Sequence, residues 1–402
     1  MKYRVIILAL ALCLLCAAGL AETSGDWTYT VEDGAATITR YKGTAAVLTI
    51  PRTLDGYPVT AVGKEAFIAN ETLTELTIPD GIKTIANRAF SGCTSMTRMI
   101  MGRDVVSIGD YAFSRTGLTS AAIPQGLRSI GKNPFLECSS LTAIHVPLDC
   151  PNFREIDGIL FRKTDNTLVS YPIGITASSY EIPRGIRTIG SEAFYNCENL
   201  TSVTIPDTVN VIEYEAFSGT GLREITIPVS VHTLGSGLFF RCMSLTSFTF
   251  HGCPEEMDGS LFERCDALTE VTIPESFTTV PRFMFSHCAG LRKVNLPEGL
   301  TAIDNGAFSD CTALTDIVLP ASLQRLGDSV FCGCTALKTL DIPDGVTEFG
   351  ERIFNVNGVF ADSYEPLPGI TVNVTLNSPA MRYCIENNVS CAYEGMYDWL
   401  LD

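Results

Sequence analysis

The sequence predicts an α/β solenoid, mostly β by content: a right-handed superhelix of short parallel strands joined by helical or 3-10 turns. Three observations carry this expectation. An Ile-Pro frame recurs at Ile182-Pro183, Ile205-Pro206, Ile227-Pro228, Ile273-Pro274, Leu296-Pro297, Leu319-Pro320 and Ile342-Pro343, in steps of 22 or 23 residues when Phe250-His251 fills one slot. A fixed period in the twenties marks a stack of identical coils. Within each period, a stretch such as Leu200-Thr-Ser-Val203-Thr-Ile205 alternates apolar and polar residues, as a half-buried strand does. An Ala-Phe pair and a cysteine then recur at fixed offsets, as in Ala216-Phe217 and Cys197.

Taken in order, residues 1–21 read as a signal peptide. Lys2 and Arg4 precede an apolar run, and Gly19-Leu20-Ala21 offers small residues for cleavage before Glu22. Residues 22–49 form an expected N-terminal β cap: Trp27, Tyr29 and Val31 alternate with polar residues, and Glu32-Asp33-Gly34 supplies a turn. Such a cap is expected because end repeats otherwise expose apolar surface.

The repeats occupy 50–360, about twelve units. In each, L-x-x-V-x-I fits the strand of a leucine-rich repeat. Proline ends the strand because it lacks an N–H and fixes φ. A glycine turn such as Asp80-Gly81 follows, then a second short extended piece, Val209 to Ile212, and a single helical or 3-10 turn over Glu213–Phe217. The spacing from Ile123 to Ile182 exceeds one repeat, which places an insert at 147–181. Its centre, Ile156 to Pro172, reads as a protruding hairpin turning at Asp165-Asn166. Residues 361–402 form an expected strand-helix cap. Ile370–Leu376 alternates as a strand. Ser378-Pro379 then offers an N-cap serine and a first-turn proline for a helix to about Asn387.

The chain has 402 residues and a net charge of −17, which argues against nucleic acid and anionic lipid as partners. After the leader no long apolar run follows, so no transmembrane segment is expected in the mature chain. Of 15 cysteines, Cys93, Cys138, Cys197, Cys242, Cys265, Cys288, Cys311 and Cys334 share one slot, three residues after the phenylalanine. The spacing predicts a buried ladder of small apolar side chains. Thr116 and Thr220 sit near the same slot, so no thiol chemistry is required there. Cys384 and Cys391, or Cys332 with a neighbouring turn, could pair locally.

The frame I-P-x-x-[VIL]-x-x-[IL]-G-x-x-A-F-x-x-C-x-x-L-x-x-[VIL], best seen over Ile182–Leu200, resembles the BspA-like leucine-rich repeat family of bacterial surface proteins (LRR_5 type). Asp157-Gly158-Ile159-Leu160-Phe161, Gly56-Tyr57-Pro58-Val59 and the Ser378–Val389 segment are similar to that family's embellishments. The resemblance implies a secreted or cell-surface protein that binds extracellular proteins and serves adhesion to host or microbial proteins. A structural scaffold module in an extracellular assembly is the alternative. No fixed binding residues carry over.

An enzyme needs a constellation of groups, and none is visible around His145, His232, His251 or His287. No cofactor or metal motif occurs either, and zinc would need tightly spaced ligands. The expected binding surface is the outward row of the strand sheet, rich in threonine, which suits exposed strand positions on propensity alone. Within it, the candidate protein-binding residues are Arg223, Glu224, Arg292, Lys293 and Lys338. On the insert they are Phe161, Arg162, Lys163 and Tyr171.

Overall fold

The computed structural model describes residues 21–356, 365–394 and 396. The expected signal peptide, apart from its last residue, lies outside the described residues, as do 361–364 and most of the final eight residues. The chain is a solenoid of about 15 turns, nearly all strand and turn. The count exceeds the expected twelve because the coil continues through the insert and into both ends.

Two parallel rows of strands run the length of the stack. The first contains the L-x-x-V-x-I pieces, such as Glu75–Ile78, Ser202–Thr204, Lys293–Asn295 and Thr339–Asp341. The second contains two-residue strands such as Thr84–Ile85, Val211–Ile212 and Arg325–Leu326. Register follows the repeat without slippage: Glu75 faces Arg98 and Val211 faces Thr233. A one-residue slip would turn every buried Ile and Val to solvent.

The Ala-Phe segment is not helical. Its N–H groups alternate in direction. Glu65, Phe67 and Ala69 donate to Asn87, Ala89 and Ser91 of the next coil, whereas Ala66 and Ile68 donate locally to Gly63 and Glu65. A helix would direct every N–H along its own axis. The alternation is achieved by left-handed residues at the position before Ala and the position two after Phe, such as Glu65 and Ala69, or Arg88 and Gly92. Each coil thereby satisfies its neighbour's backbone, as a buried segment must.

The phenylalanines stack in files. Phe90 and Phe113 lie 5.4 Å apart at 4°, and Phe285 and Phe308 lie 5.7 Å apart at 4°. Burying each ring contributes about 1.5–3 kcal/mol. The file is broken once, between Phe135 and Phe194, where the insert enters.

The insert has three antiparallel strands, Phe153–Ile156, Ile159–Arg162 and Thr167–Ser170. The last pairs in parallel with Thr188–Ile189, so it occupies the second strand row of the stack. Leu160 and Val169 pack into the core of the N-terminal half, while Ile159, Phe161, Leu168 and Tyr171 pack into that of the C-terminal half. The insert is therefore a septum between two cores rather than a protruding hairpin.

At the N-terminal end Glu22–Ser24, Trp27–Glu32 and Ala35–Tyr41 form an antiparallel meander, whose last strand pairs with Tyr57–Val62. At the other end lies helix α1, Pro379–Glu386, the only helix among the described residues. Ser378 caps it as the sequence predicts, its hydroxyl accepting from the Met381 N–H. The Tyr383 hydroxyl accepts the Ile353 N–H at 3.0 Å, which satisfies a donor of the last coil.

Candidate functional site

The outward strand row has the expected composition, and its threonines have a structural role. Thr74, Thr142, Thr201 and Thr246 each donate a hydroxyl to a carbonyl of the preceding coil. Arg223, Arg292 and Lys338 occupy the same register position and are exposed. Arg223 and Arg292 have no hydrogen-bond or ion-pair partner for their side chains among the described residues. Lys338 Nζ donates to the Thr335 carbonyl at 2.9 Å. Lys293 lies one residue over, in an ion pair with Glu270 at 2.8 Å, which holds the Glu270 carboxyl below its ordinary range. Glu224 stands exposed in that same second line.

The insert residues are placed differently from expectation. Phe161 is 0% and Tyr171 4% exposed, so neither presents a surface. The strand that carries Phe161 is covered on both faces, and the Tyr171 ring packs 5.0 Å from Phe194. Arg162 is engaged by Asp165 at 2.8 Å and by the Thr167 hydroxyl at 3.2 Å. Lys163 Nζ donates to the Cys150 carbonyl at 2.6 Å. The four residues hold the septum together and do not form a free patch.

A feature missed by sequence reasoning is a groove of about 1150 Å³ along the edge between the Ala-Phe turns and the strands. Its wall is built by the residues two after each phenylalanine: Arg115, Glu137, Asn196, Gly219, Arg241, Arg264, His287 and Asp310. These occupy the left-handed turn position, which points them out of the coil. In the N-terminal half Arg115 pairs with Glu137, and Asn196 Nδ2 reaches Glu137 at 3.4 Å. In the C-terminal half His287 Nε2 lies 3.4 Å from Asp310, and its Nδ1 is 2.8 Å from the Ser286 hydroxyl. Between them Arg241 and Arg264 are on adjacent coils, exposed, with no ion-pair partner among the described residues. The Arg241 guanidinium rests over the Phe240 ring at 5.9 Å. The sequence signal was present as Arg241, Arg264 and His287 at 23-residue spacing, hidden because those positions read as turn.

Tyr111, Tyr195 and Tyr214 flank the Ala-Phe turns. They gather around Glu192, whose carboxyl is pushed up by burial against the opposing hydrogen bond from Tyr111. Glu192 is 7% exposed, so the cluster belongs to the packing of the seam beside the insert.

The BspA type leucine-rich repeat region profile matches over 60–178, 174–282 and 238–359. The chain belongs to the BspA-type leucine-rich repeat family.

A leucine-rich repeat protein from Bacteroides ovatus is 25% identical, with 92% of this chain and 99% of that one covered and a TM-score of 0.57. One from Eubacterium ventriosum is 21% identical over 84% and 96%, with a TM-score of 0.57. The pneumococcal vaccine antigen PcpA shares the fold at 16% identity over 94% and 99%, with a TM-score of 0.52. No functionally curated protein is similar enough to match.

The cysteine slot of the BspA-type repeat is buried as expected, but it is not merely apolar. Seven of the eight thiols reach back to the phenylalanine carbonyl of the preceding coil, with Cys93 to Phe67 at 3.2 Å, Cys265 to Phe239 at 3.1 Å and Cys288 to Phe262 at 3.0 Å, whereas Cys197, beside the insert, faces the Tyr171 carbonyl at 4.0 Å. Thr220 occupies the same slot but donates within its own coil, to the Phe217 carbonyl at 2.9 Å, which the Cys242 thiol of the next coil also reaches at 3.2 Å. Burial pushes the Cys93 and Cys288 thiols up to about 12 and Cys242 to about 11. They are protonated donors at neutral pH, the opposite of what a nucleophile or metal ligand requires. Among the described residues no three His, Cys, Asp or Glu side chains converge to hold a metal, and no helix is long and apolar enough to cross a membrane.

Proposed function

We propose that this protein binds partner proteins outside the cell, as a secreted or surface-displayed adhesion module, and that the groove between the Ala-Phe turns and the strand row is where it does so. The observation that carries the reading is the pair of exposed arginines without ion-pair partners among the described residues, Arg241 and Arg264, in the wall of that groove in a chain of net charge −17. Arginine is, with tryptophan and tyrosine, among the side chains enriched at interface hot spots. Arg223 and Arg292, exposed on the outward strand row, add two more arginines without ion-pair partners among the described residues. Family membership supports the reading, as does the likeness in fold to a vaccine antigen. The Lys2/Arg4 leader supports export.

The test begins with residues 22–402 immobilised and extracellular host and microbial proteins screened for saturable binding. A partner found in this way is then titrated against Arg241→Glu/Arg264→Glu and against Lys293→Glu. The groove reading expects the double variant to lose about tenfold or more in affinity and the Lys293 variant to lose little, because Glu270 already neutralises that charge. Equal binding by the double variant and the parent would remove the groove from consideration.

A further inference from the structure

Helix α1 and the strand Cys391–Ala392 close the C-terminal end of the stack. Cys384 is on the buried face of α1, 0% exposed. The chain reverses directly after it: the Val389 N–H donates back to the Cys384 carbonyl at 2.9 Å. Cys391 then enters the sheet opposite Val372 and packs against the same apolar cluster as Cys384. Helix α1 and the Cys391–Ala392 strand are in contact, and Cys391 lies near enough to the Cys384 thiol to help raise it.

This pair differs from the ladder. In the ladder each thiol donates to a backbone carbonyl and neighbouring sulfurs are separated by a whole coil. Among the described residues neither Cys384 nor Cys391 donates to a carbonyl. They also differ in access. Cys391 is partly exposed, whereas Cys384 is covered. A half-exposed thiol beside a buried one is the arrangement in which an oxidant reaches the first and the second resolves it.

We propose that Cys384 and Cys391 form a disulfide that fastens α1 to the last strand of the sheet. The oxidant is a disulfide of the glutathione class. The Cys391 thiolate attacks one of its sulfurs and expels one glutathione thiolate, leaving a mixed disulfide. The Cys384 thiol, which burial pushes up to about 12, gives up its proton to solvent as it attacks Cys391 Sγ and expels the second, so this is the slow step. Two S–H bonds are lost and one S–S bond forms; the two electrons reduce the glutathione disulfide to two glutathione molecules, whose thiols take up the two protons. The bond closes a short loop, so the helix cannot leave the end coil without carrying the strand with it. Since Tyr383 satisfies the Ile353 N–H, the cross-link would also hold that hydrogen bond in place.

The experiment uses the full mature chain, incubated with glutathione disulfide, then unfolded, alkylated and digested. The expected result is one cross-linked peptide pair containing Cys384 and Cys391, about 2 Da lighter than the reduced pair, with the ladder cysteines fully alkylated. Hydrogen exchange at Ile353 and Val372 is expected to slow about tenfold in the oxidised protein relative to the reduced one. In Cys391→Ser the two conditions should exchange alike. Complete alkylation of both cysteines after oxidation would overturn the proposal. So would a stable glutathione adduct on Cys391, or a bond from either residue to Cys332 or Cys253. Peptide mapping of the parent chain decides the matter even if the serine variant fails to fold.

Discussion

At the scale of single residues, the repeat's conspicuous letters have separate physical jobs. Isoleucine and phenylalanine fill the core, proline ends the strand, and cysteine supplies a donor where the Ala-Phe turn leaves a carbonyl with spare acceptor capacity. The last role was not legible, because a buried small residue and a buried small donor look alike in one sequence. The clue was Thr116 and Thr220, which form sulfur-hydroxyl contacts with Cys138 and Cys242 at 3.1 and 3.2 Å. Threonine and valine have nearly the same shape, so the pair Cys288→Thr and Cys288→Val isolates the donor. Cys288→Thr is expected to be the more stable by about 1 kcal/mol, the net value of a buried hydrogen bond. Urea midpoints of the two variants measure this. A more stable valine variant would show that the slot selects only for size and apolarity.

At the scale of elements, the strands and the caps' secondary structure were legible because alternation and punctuation recur and reinforce one another. Ser378-Pro379 starts a helix in the structure as it does on paper. The Ala-Phe turn was misread as helical because Glu-Ala-Phe has ordinary helix formers. What overrides propensity is the demand of two neighbouring coils for alternating N–H directions. The insert was misread in position rather than in strand content. Its alternation of polar and apolar residues is broken at Ile159-Leu160-Phe161, three consecutive apolar residues, which is the mark of a strand covered on both faces. Phe161→Ala therefore tests the septum. It should cost about 3–5 kcal/mol through loss of the ring and the cavity left behind. Because each coil contacts only its neighbours, the loss should uncouple the two cores and split urea unfolding into two transitions. Partner binding at low temperature should be unchanged. A single transition with a shift below about 1 kcal/mol would mean that the insert lies on the solenoid without coupling its halves.

At the scale of the whole molecule, the ladder makes stability a collective function of pH. The thiols of Cys93, Cys242 and Cys288 are raised from an ordinary value near 9 to about 12, 11 and 12, and those of Cys138, Cys197, Cys265, Cys311 and Cys334 are also raised, in every case chiefly by burial. A group whose folded pKa exceeds its unfolded one binds its proton more tightly in the native chain. Its contribution is fully present below about pH 9 and is lost as pH rises toward the folded value. Between those limits the unfolded chain has released protons that the native chain keeps, so stability falls with pH. Each such thiol lowers it by about 1.4 kcal/mol per pH unit, and several act together. A marginally stable fold cannot sustain that slope for long. The urea midpoint is therefore expected to be level from pH 7 to about 8.5 and to drop steeply above pH 9, with cooperative loss of β-sheet signal before the buried values are reached. Reversal on rapid return to neutral pH under reducing conditions would separate titration from chemical damage. A midpoint that stayed level to pH 11 would mean that the thiols ionise in place. The coil stack would then admit water along its entire cysteine file, contrary to the burial of every member.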